Sequence, residues 1–405
     1  MGWTTPWAPT QAELQACVEC GLCLPVCPTF RLTGDETASP RGRLNAMAAV
    51  ASGSLPLDAS AAGVFEFCLQ CRACEAACPS LVPFGRAMEG ARAEVTAVLP
   101  RARLRRRVAA RWIARRRLVW IATWFGALGQ RAGARHWMPG ALGWGLRGMR
   151  RLRFRPRSVL GTTYQPVGAP IGTVGLLAGC VMDPWFGDVH RAVIAVLTAG
   201  GYRVVVPEGQ TCCGALAVHE GRAADGERMA AVNRLAFAGV DLVVVDAAGC
   251  SAHLVGHGIG PAAQDAVVVV ARLLDEGRLP IRPPTGERVA VQDACHHRHA
   301  QRITAAPRTI VRAAGFTPVD LDPDGMCCGA AGLYSQAYPE TSHQLGLAKA
   351  EQAARLGVTL VASANPGCEI QLRARVGRGI RVAHPIEIYA EAVGLKPGSA
   401  GGIRT

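Results

Sequence analysis

In the second half of the chain, short apolar runs alternate with stretches of helical spacing. Runs rich in Val, Leu and Ala occur at 173–180 (TVGLLAGC), 203–207 (RVVVP), 241–250 (DLVVVDAAGC), 288–295 (RVAVQDAC) and 358–368 (VTLVASANPGC). Continuous apolar runs of this length, bounded by turn residues, read as buried strands of a parallel sheet. Between them, 189–199 and 227–238 carry helical patterns. Strands alternating with helices predict βαβ units, whose ligands gather beyond the carboxyl ends of the strands. Residues 1–100 are expected to be mostly helical, so the fold class is multidomain α plus α/β. With 405 residues, half of them hydrophobic and 18% charged, the chain has material for two or three domains. The expected division is 1–100, 101–160, 161–283 and 284–405.

The apolar pattern repeats, and cysteines repeat with it. Cys180, Cys212, Cys213 and Cys250 recur as Cys295, Cys327, Cys328 and Cys368, at an offset of 115 residues for the first three and 118 for the last. Both copies contain Cys-Cys-Gly. Self-similarity on this scale predicts two structural units of one fold. Gly179, Gly249 and Gly367 directly precede three of these cysteines and let backbone approach a bulky inorganic group. Buried structural thiols are the bland alternative. They do not account for four positions repeated in register, so a thiolate metal or cluster site is expected in at least one unit.

Charge is distributed unevenly. The net charge is +14, yet residues 101–157 hold seventeen arginines and no Asp or Glu, leaving the rest at −3. The same segment holds Trp112, Trp120, Trp124, Trp137 and Trp144, and its longest uncharged run, 118–130, has 13 residues. About 20 are needed to span a bilayer. Arg-rich, Trp-bearing stretches suit the surface of an anionic membrane; a contact with an acidic partner subunit is the alternative, and nucleic acid a third and less fitting one.

The most specific signal is C-x-x-C-x-x-C-x-x-x-C-P, present twice: Cys17, Cys20, Cys23, Cys27, Pro28, and Cys68, Cys71, Cys74, Cys78, Pro79. This is the spacing of bacterial two-cluster ferredoxins, in which the fourth cysteine of each run serves the other cluster. Two [4Fe–4S] clusters are therefore expected, one on Cys17, Cys20, Cys23 and Cys78, the other on Cys68, Cys71, Cys74 and Cys27. Disulfides are the first alternative, but no signal peptide precedes Cys17, so a reducing cytoplasm is expected. Zinc, the second, normally closes with two cysteine pairs.

With both cysteine patterns in one chain, the sequence resembles the iron–sulfur subunit of glycolate oxidase. It is similar in pattern to the iron–sulfur subunits of anaerobic glycerol-3-phosphate dehydrogenase, of D-lactate oxidising complexes and of heterodisulfide reductase. The resemblance rests on CVECGLCLPVCPTF at 17–30, GDETASPRGR at 34–43, CLQCRACEAACPSLVPFG at 68–85, MCCGAAGLYS at 326–335, ANPGC at 364–368 and HPIEI at 384–388. It implies an electron-transfer subunit of an oxidoreductase, inactive alone. An FAD-containing hydroxy-acid dehydrogenase subunit would feed it, and electrons would leave toward a quinone, with the chain peripheral on the inner face of the cell membrane. No G-x-G-x-x-G opens a helix after a strand, so no flavin or NAD is expected in this chain, and no hydrolytic constellation stands out.

The sequence departs from the disulfide-reducing relatives at one place. Their repeat units end in C-x-x-C, whereas His253 follows Cys250 and Gln371 follows Cys368 here. Each unit keeps four cysteines, candidates for a further cluster. His253 is a candidate substitute ligand, or a loop histidine bonded to backbone. His296 and His299, in ACHHRHAQ, are candidates for hydrogen bonds to cluster sulfur or a quinone oxygen, or for a helix cap.

Overall fold

The computed structural model describes residues 2–100, 104, 116–138, 140–258, 262–395 and 402–404. Within them the Val-rich runs form strands. β1 (Thr162–Tyr164), β2 (Gly172–Leu176), β3 (Tyr202–Val206), β4 (Leu242–Val245) and β5 (Ala263–Asp265) belong to one sheet. A second contains β6 (Arg288–Gln292), β7 (Thr317–Asp320), β8 (Leu360–Ser363) and β9 (Arg381–Ala383). The parallel strands run β3-β2-β4-β5 in the first sheet and β7-β6-β8-β9 in the second. In each unit the order is second, first, third, fourth, so the cysteine repeat coincides with a repeat of topology. β1 and β10 (Gly402–Arg404) extend the first sheet antiparallel.

The two sheets share an interior. Helices Gly187–Ala199 and Ala266–Asp275 of the first unit pack on helices Pro385–Ala392 and Ala305–Ala313 of the second, respectively. Each unit's first helix thus meets the other's last, the reciprocity of a pseudo-twofold axis. Ala266–Asp275 (AVVVVARLLD) has four successive valines, poor helix formers because their χ1 is restricted. It is helical because Asp265 accepts from Val267 N at 3.0 Å, and because Val267, Val269, Val270, Leu273 and Leu274 are buried against Val193, Leu197, Ile310, Val311 and Tyr389. Each such side chain contributes about 1.5–3 kcal/mol when removed from water.

Six short helices of residues 11–98 pack around Met47, Phe65, Met88 and Val95. The longest, Phe84–Val98, joins this part to the first α/β unit: Arg92 donates to His219 O at 2.9 Å and Thr96 Oγ1 to Glu220 O at 3.3 Å. At Gly221, φ is +71° and a Cβ would lie 2.1 Å from Arg92 O, so the junction requires glycine there.

The described part of the basic segment is docked on the α/β body. Helix Arg116–Arg131 buries Val119, Thr123 and Ala127, and Thr123 Oγ1 accepts from Trp185 Nε1 at 2.8 Å. Trp144 stacks on His343 with ring centroids 4.3 Å apart. Arg150 enters the second unit, so some of the charge read as a contact surface is used inside the chain. Trp112 and the arginines between 101 and 115 lie outside the described residues.

Candidate functional site

Cys17, Cys20, Cys23 and Cys78 line one cradle with Pro40, Arg41 and Phe84. Cys27, Cys68, Cys71 and Cys74 line a second with Pro28, Thr29 and Arg43, and Cys74 also borders the first. The fourth cysteine of each run therefore sits with the other run. Local backbone explains how. Glu19 and Gln70, each two residues past the first cysteine, have φ of +56° and +51°, and Gly21 and Arg72, two further on, have +80° and +62°. Successive left-handed turns point backbone N–H groups inward, as in anion-binding nests; Gln70 N donates to Cys68 Sγ at 3.3 Å. Pro28 then starts helix Pro28–Thr33, its missing N–H costing nothing at that position.

The first cradle is open, with Cys20 exposed, whereas all four thiols of the second are buried. Burial pushes the Cys71 and Cys74 thiols well above the ordinary range, Cys295 adding at Cys71 and Cys71 at Cys74. Four buried thiolates need a cationic core to ionise together. Arg43, fully buried, donates to Val64 O at 3.0 Å and Thr29 Oγ1 at 3.1 Å and reaches Cys27 Sγ at 4.0 Å. A guanidinium buried this way needs counter-charge, which an anionic cluster held by Cys27 would supply. Arg43 ends the GDETASPRGR stretch, the one sequence signal for it.

The repeat cysteines form two quartets beyond the carboxyl ends of the parallel strands. Cys212 and Cys180 sulfurs are 3.3 Å apart, Cys213 and Cys250 3.1 Å, and Cys328 and Cys368 3.2 Å. Hydrogen bonding with Cys327, its largest cause, and the adjacent His296 hold the Cys295 thiol well below its ordinary range. All sixteen cysteines are free thiols, against a disulfide framework. Among the described residues no three His, Cys, Asp or Glu side chains converge tightly enough for one metal ion. Each N-terminal cradle has four cysteines of its own, which is the donor set of a [4Fe–4S] cluster.

The accessory candidates divide. His296 Nδ1 lies 3.6 Å from Cys295 Sγ, and its Nε2 is buried without a partner. Residues His296–Gln301 form a π-helix, a conformation that recurs at functional sites; a helix cap is one of the two readings the sequence leaves open. His299 Nε2 meets Gly325 O at 2.9 Å and steadies the loop before Cys327. His253 lies in helix Ala248–His257 rather than in a loop, and its buried Nδ1 has no partner. Burial, with His257 and His219 nearby, holds its pKa down at about 3, so the ring is neutral. Gln371 donates to Ser342 O at 2.7 Å and accepts from Arg375 at 2.9 Å, which leaves its amide engaged in packing.

Comparison with known proteins agrees with this geometry. Residues 13–106 match the 4Fe-4S dicluster domain, and residues 174–255 and 289–373 each match the cysteine-rich domain. A chain of Bacillus subtilis (strain 168) described as a probable glycolate oxidase iron-sulfur subunit is 30% identical over 428 aligned positions, covering 95% of both chains. The chain belongs to the glycolate oxidase iron–sulfur subunit family. The glycolate oxidase iron-sulfur subunit of Escherichia coli (strain K12) is 28% identical over 94% of each chain. Lactate utilization protein A of Geobacillus kaustophilus is 26% identical over 53% of this chain and 97% of its own. As a member of the glycolate oxidase iron–sulfur subunit family, the chain is an iron–sulfur component of an oxidoreductase complex with other subunits. Its N-terminal part is a [4Fe–4S] dicluster domain. Among the described residues no helix is long and apolar enough to cross a membrane.

Proposed function

We propose that the chain is the electron relay of a 2-hydroxy-acid dehydrogenase complex, joining a partner flavoprotein to a quinone. The eight N-terminal cysteines would hold two clusters as grouped above, and the two quartets two more. When bound, each cluster takes up and releases single electrons, which a flavin oxidising glycolate delivers one at a time.

The observation that carries this reading is the contiguity of the four cysteine groups. Cys71 shares an apolar cluster with Cys327, packed against Cys295, so the buried cradle adjoins the second quartet. Cys328 and Cys368 pack on Ala248, two residues before Cys250. Asn365 ties these quartets together, donating to Cys368 Sγ at 3.4 Å and accepting from Gly249 N at 3.2 Å. The exposure of Cys20 supports placing the flavoprotein at this end of the relay. Anaerobically purified chain is expected to bind about sixteen irons and to show a paramagnetic signal after dithionite. About eight irons would confine the relay to the N-terminal domain, and colourless, silent protein would end it.

Helix Arg116–Arg131 supports peripheral attachment to an anionic bilayer. Opposite its buried stripe it exposes Ile121, Trp124, Phe125 and Leu128, and Arg131 sits 3.9 Å over the Phe154 ring beside Trp124. Arg151, Arg153 and Arg155 line the adjoining cavity. Aromatic rings at headgroup depth with arginines around them fit such a surface. The Trp124→Ser, Phe125→Ser double variant is expected to lose at least tenfold in co-sedimentation with phosphatidylserine vesicles; undiminished binding would assign the face to a partner subunit instead.

A further inference from the structure

The relay needs an end at which electrons are paired with protons, and one cavity of the molecule has the chemistry for it. It lies between helix Phe84–Val98 and helices Ala223–Ala236 and Ala248–His257, and its volume is about 310 Å³. Trp7, Val218 and Ala230 supply apolar walls, Glu89, His253 and His257 supply polar ones, and the charged Arg86, Glu227 and Arg234 also line it. Cavities of this size, mostly apolar with a few convergent polar groups, suit flat small molecules.

The wall of the cavity is also the wall of the first quartet. His253 Nε2 lies 3.2 Å from the place a Cβ would take on Gly214, the residue after Cys213. Gly214 has φ of +94°, so the approach depends on glycine. His257 packs on His253 with ring centroids 4.1 Å apart and the planes tilted by 30°, and its Nδ1 meets His253 O at 2.9 Å. Its Nε2 is 4.0 Å from Glu89 Oε2, and His219 Nε2 is 3.4 Å from Glu89 Oε1. Burial raises the Glu89 pKa, but His219 and His257 outweigh it and hold the carboxyl below its usual range. His257 is the most exposed of the three, at 45%. A chain of proton-exchanging groups thus runs from solvent to a cavity that touches a cysteine quartet. The flavin end of a relay passes electrons alone and has no use for such a chain.

The geometry points to this cavity as the quinone-headgroup site, with His257 and Glu89 as the proton path and His253 separating acceptor from quartet. This rests on the relay reading above. Each quinone takes two electrons and two protons, and both C=O groups become C–OH. The electron pair originates in a 2-hydroxy acid oxidised on the partner flavin, and the protons come from solvent through His257 and Glu89.

The test uses the full chain with its clusters and menadione, a naphthoquinone, as probe. Equilibrium dialysis of the oxidised chain is expected to show one saturable menadione site. Ala223→Trp, which fills the cavity from a half-exposed position, is expected to weaken it at least tenfold. In stopped flow, the ratio of re-oxidation rates of the dithionite-reduced chain by menadione and by ferricyanide, which needs no pocket, is expected to fall at least tenfold in Ala223→Trp. In His257→Phe, which keeps a ring against His253, it is expected to fall at least fivefold. Unchanged binding and an unchanged ratio in both variants would overturn the site. A wild-type chain re-oxidised by neither acceptor would overturn the relay instead, and saturable binding would still stand as evidence for the cavity.

Discussion

Cys71→Ser is expected to remove one whole cluster, lowering iron by about four per chain, and to cut electron flow from glycolate to quinone by about two orders of magnitude or more. The partner's flavin should still be reduced by glycolate at its normal rate, because that step precedes the relay. Cys71 is the best choice among the eight N-terminal cysteines because it has two neighbours. It lines the buried cradle with Cys27, Cys68 and Cys74, and on its other side it packs against Cys327 and Cys295. A serine oxygen is a poor ligand for iron in a site made of thiolates, and burial opposes its ionisation even more than that of the thiol. Iron assay, the signal after dithionite, and flavin and quinone reduction measured in parallel check the prediction. Retained quinone reduction would show that electrons bypass this cradle. Cys20→Ser should have the milder effect, since the first cradle is open to water and Cys20 is exposed.

Much of this arrangement is legible in the chain. The cysteine spacing fixes which sulfurs share a cradle, since a run of three ligands can wrap only one face of a cluster and leaves the fourth to its neighbour. The Val-rich runs give β2, β3, β4, β6 and β8 because largely buried strands need no polar face, whereas β5, β7 and β9 lie outside those runs and β7 is partly exposed. Features built by distant contacts were beyond reach. Glu89, His219 and His257 lie in separate segments and meet only after helix Phe84–Val98 docks on the first unit, so no window of sequence contains the proton path. The π-helix at His296–Gln301 has no periodicity of its own to detect. The sequence marks Arg43 only as the end of GDETASPRGR and Arg150 only as one arginine of a basic segment, whereas one is fully buried beside Cys27 and the other is inserted between two acidic residues of the second unit.

Arg150→Met tests that second placement, with an expected loss of about 3–5 kcal/mol. Arg150 binds Glu369 through Nε at 2.6 Å and Nη2 at 2.8 Å, and Glu387 through Nη1 and Nη2, both at 2.6 Å. Glu369 is 2% exposed and Glu387 9%, and the guanidinium also lies 5.0 Å from the Phe186 ring. Burial already pushes the Glu369 carboxyl above its usual range in spite of Arg150. Without the cation, two buried carboxylates would face each other, and both would be pushed up. A group whose folded pKa is raised stabilises the fold below its unfolded pKa, about 4.3 for glutamate, and loses that contribution as pH rises through the folded value. The deficit of Arg150→Met should therefore be largest near neutral pH and shrink on acidification. Denaturant midpoints of the full chain at several pH values measure it. Adding Glu387→Gln should recover part of the loss, because the cost lies in uncompensated charge rather than in lost attraction. A midpoint unmoved by Arg150→Met would mean that the basic segment is not anchored through this residue.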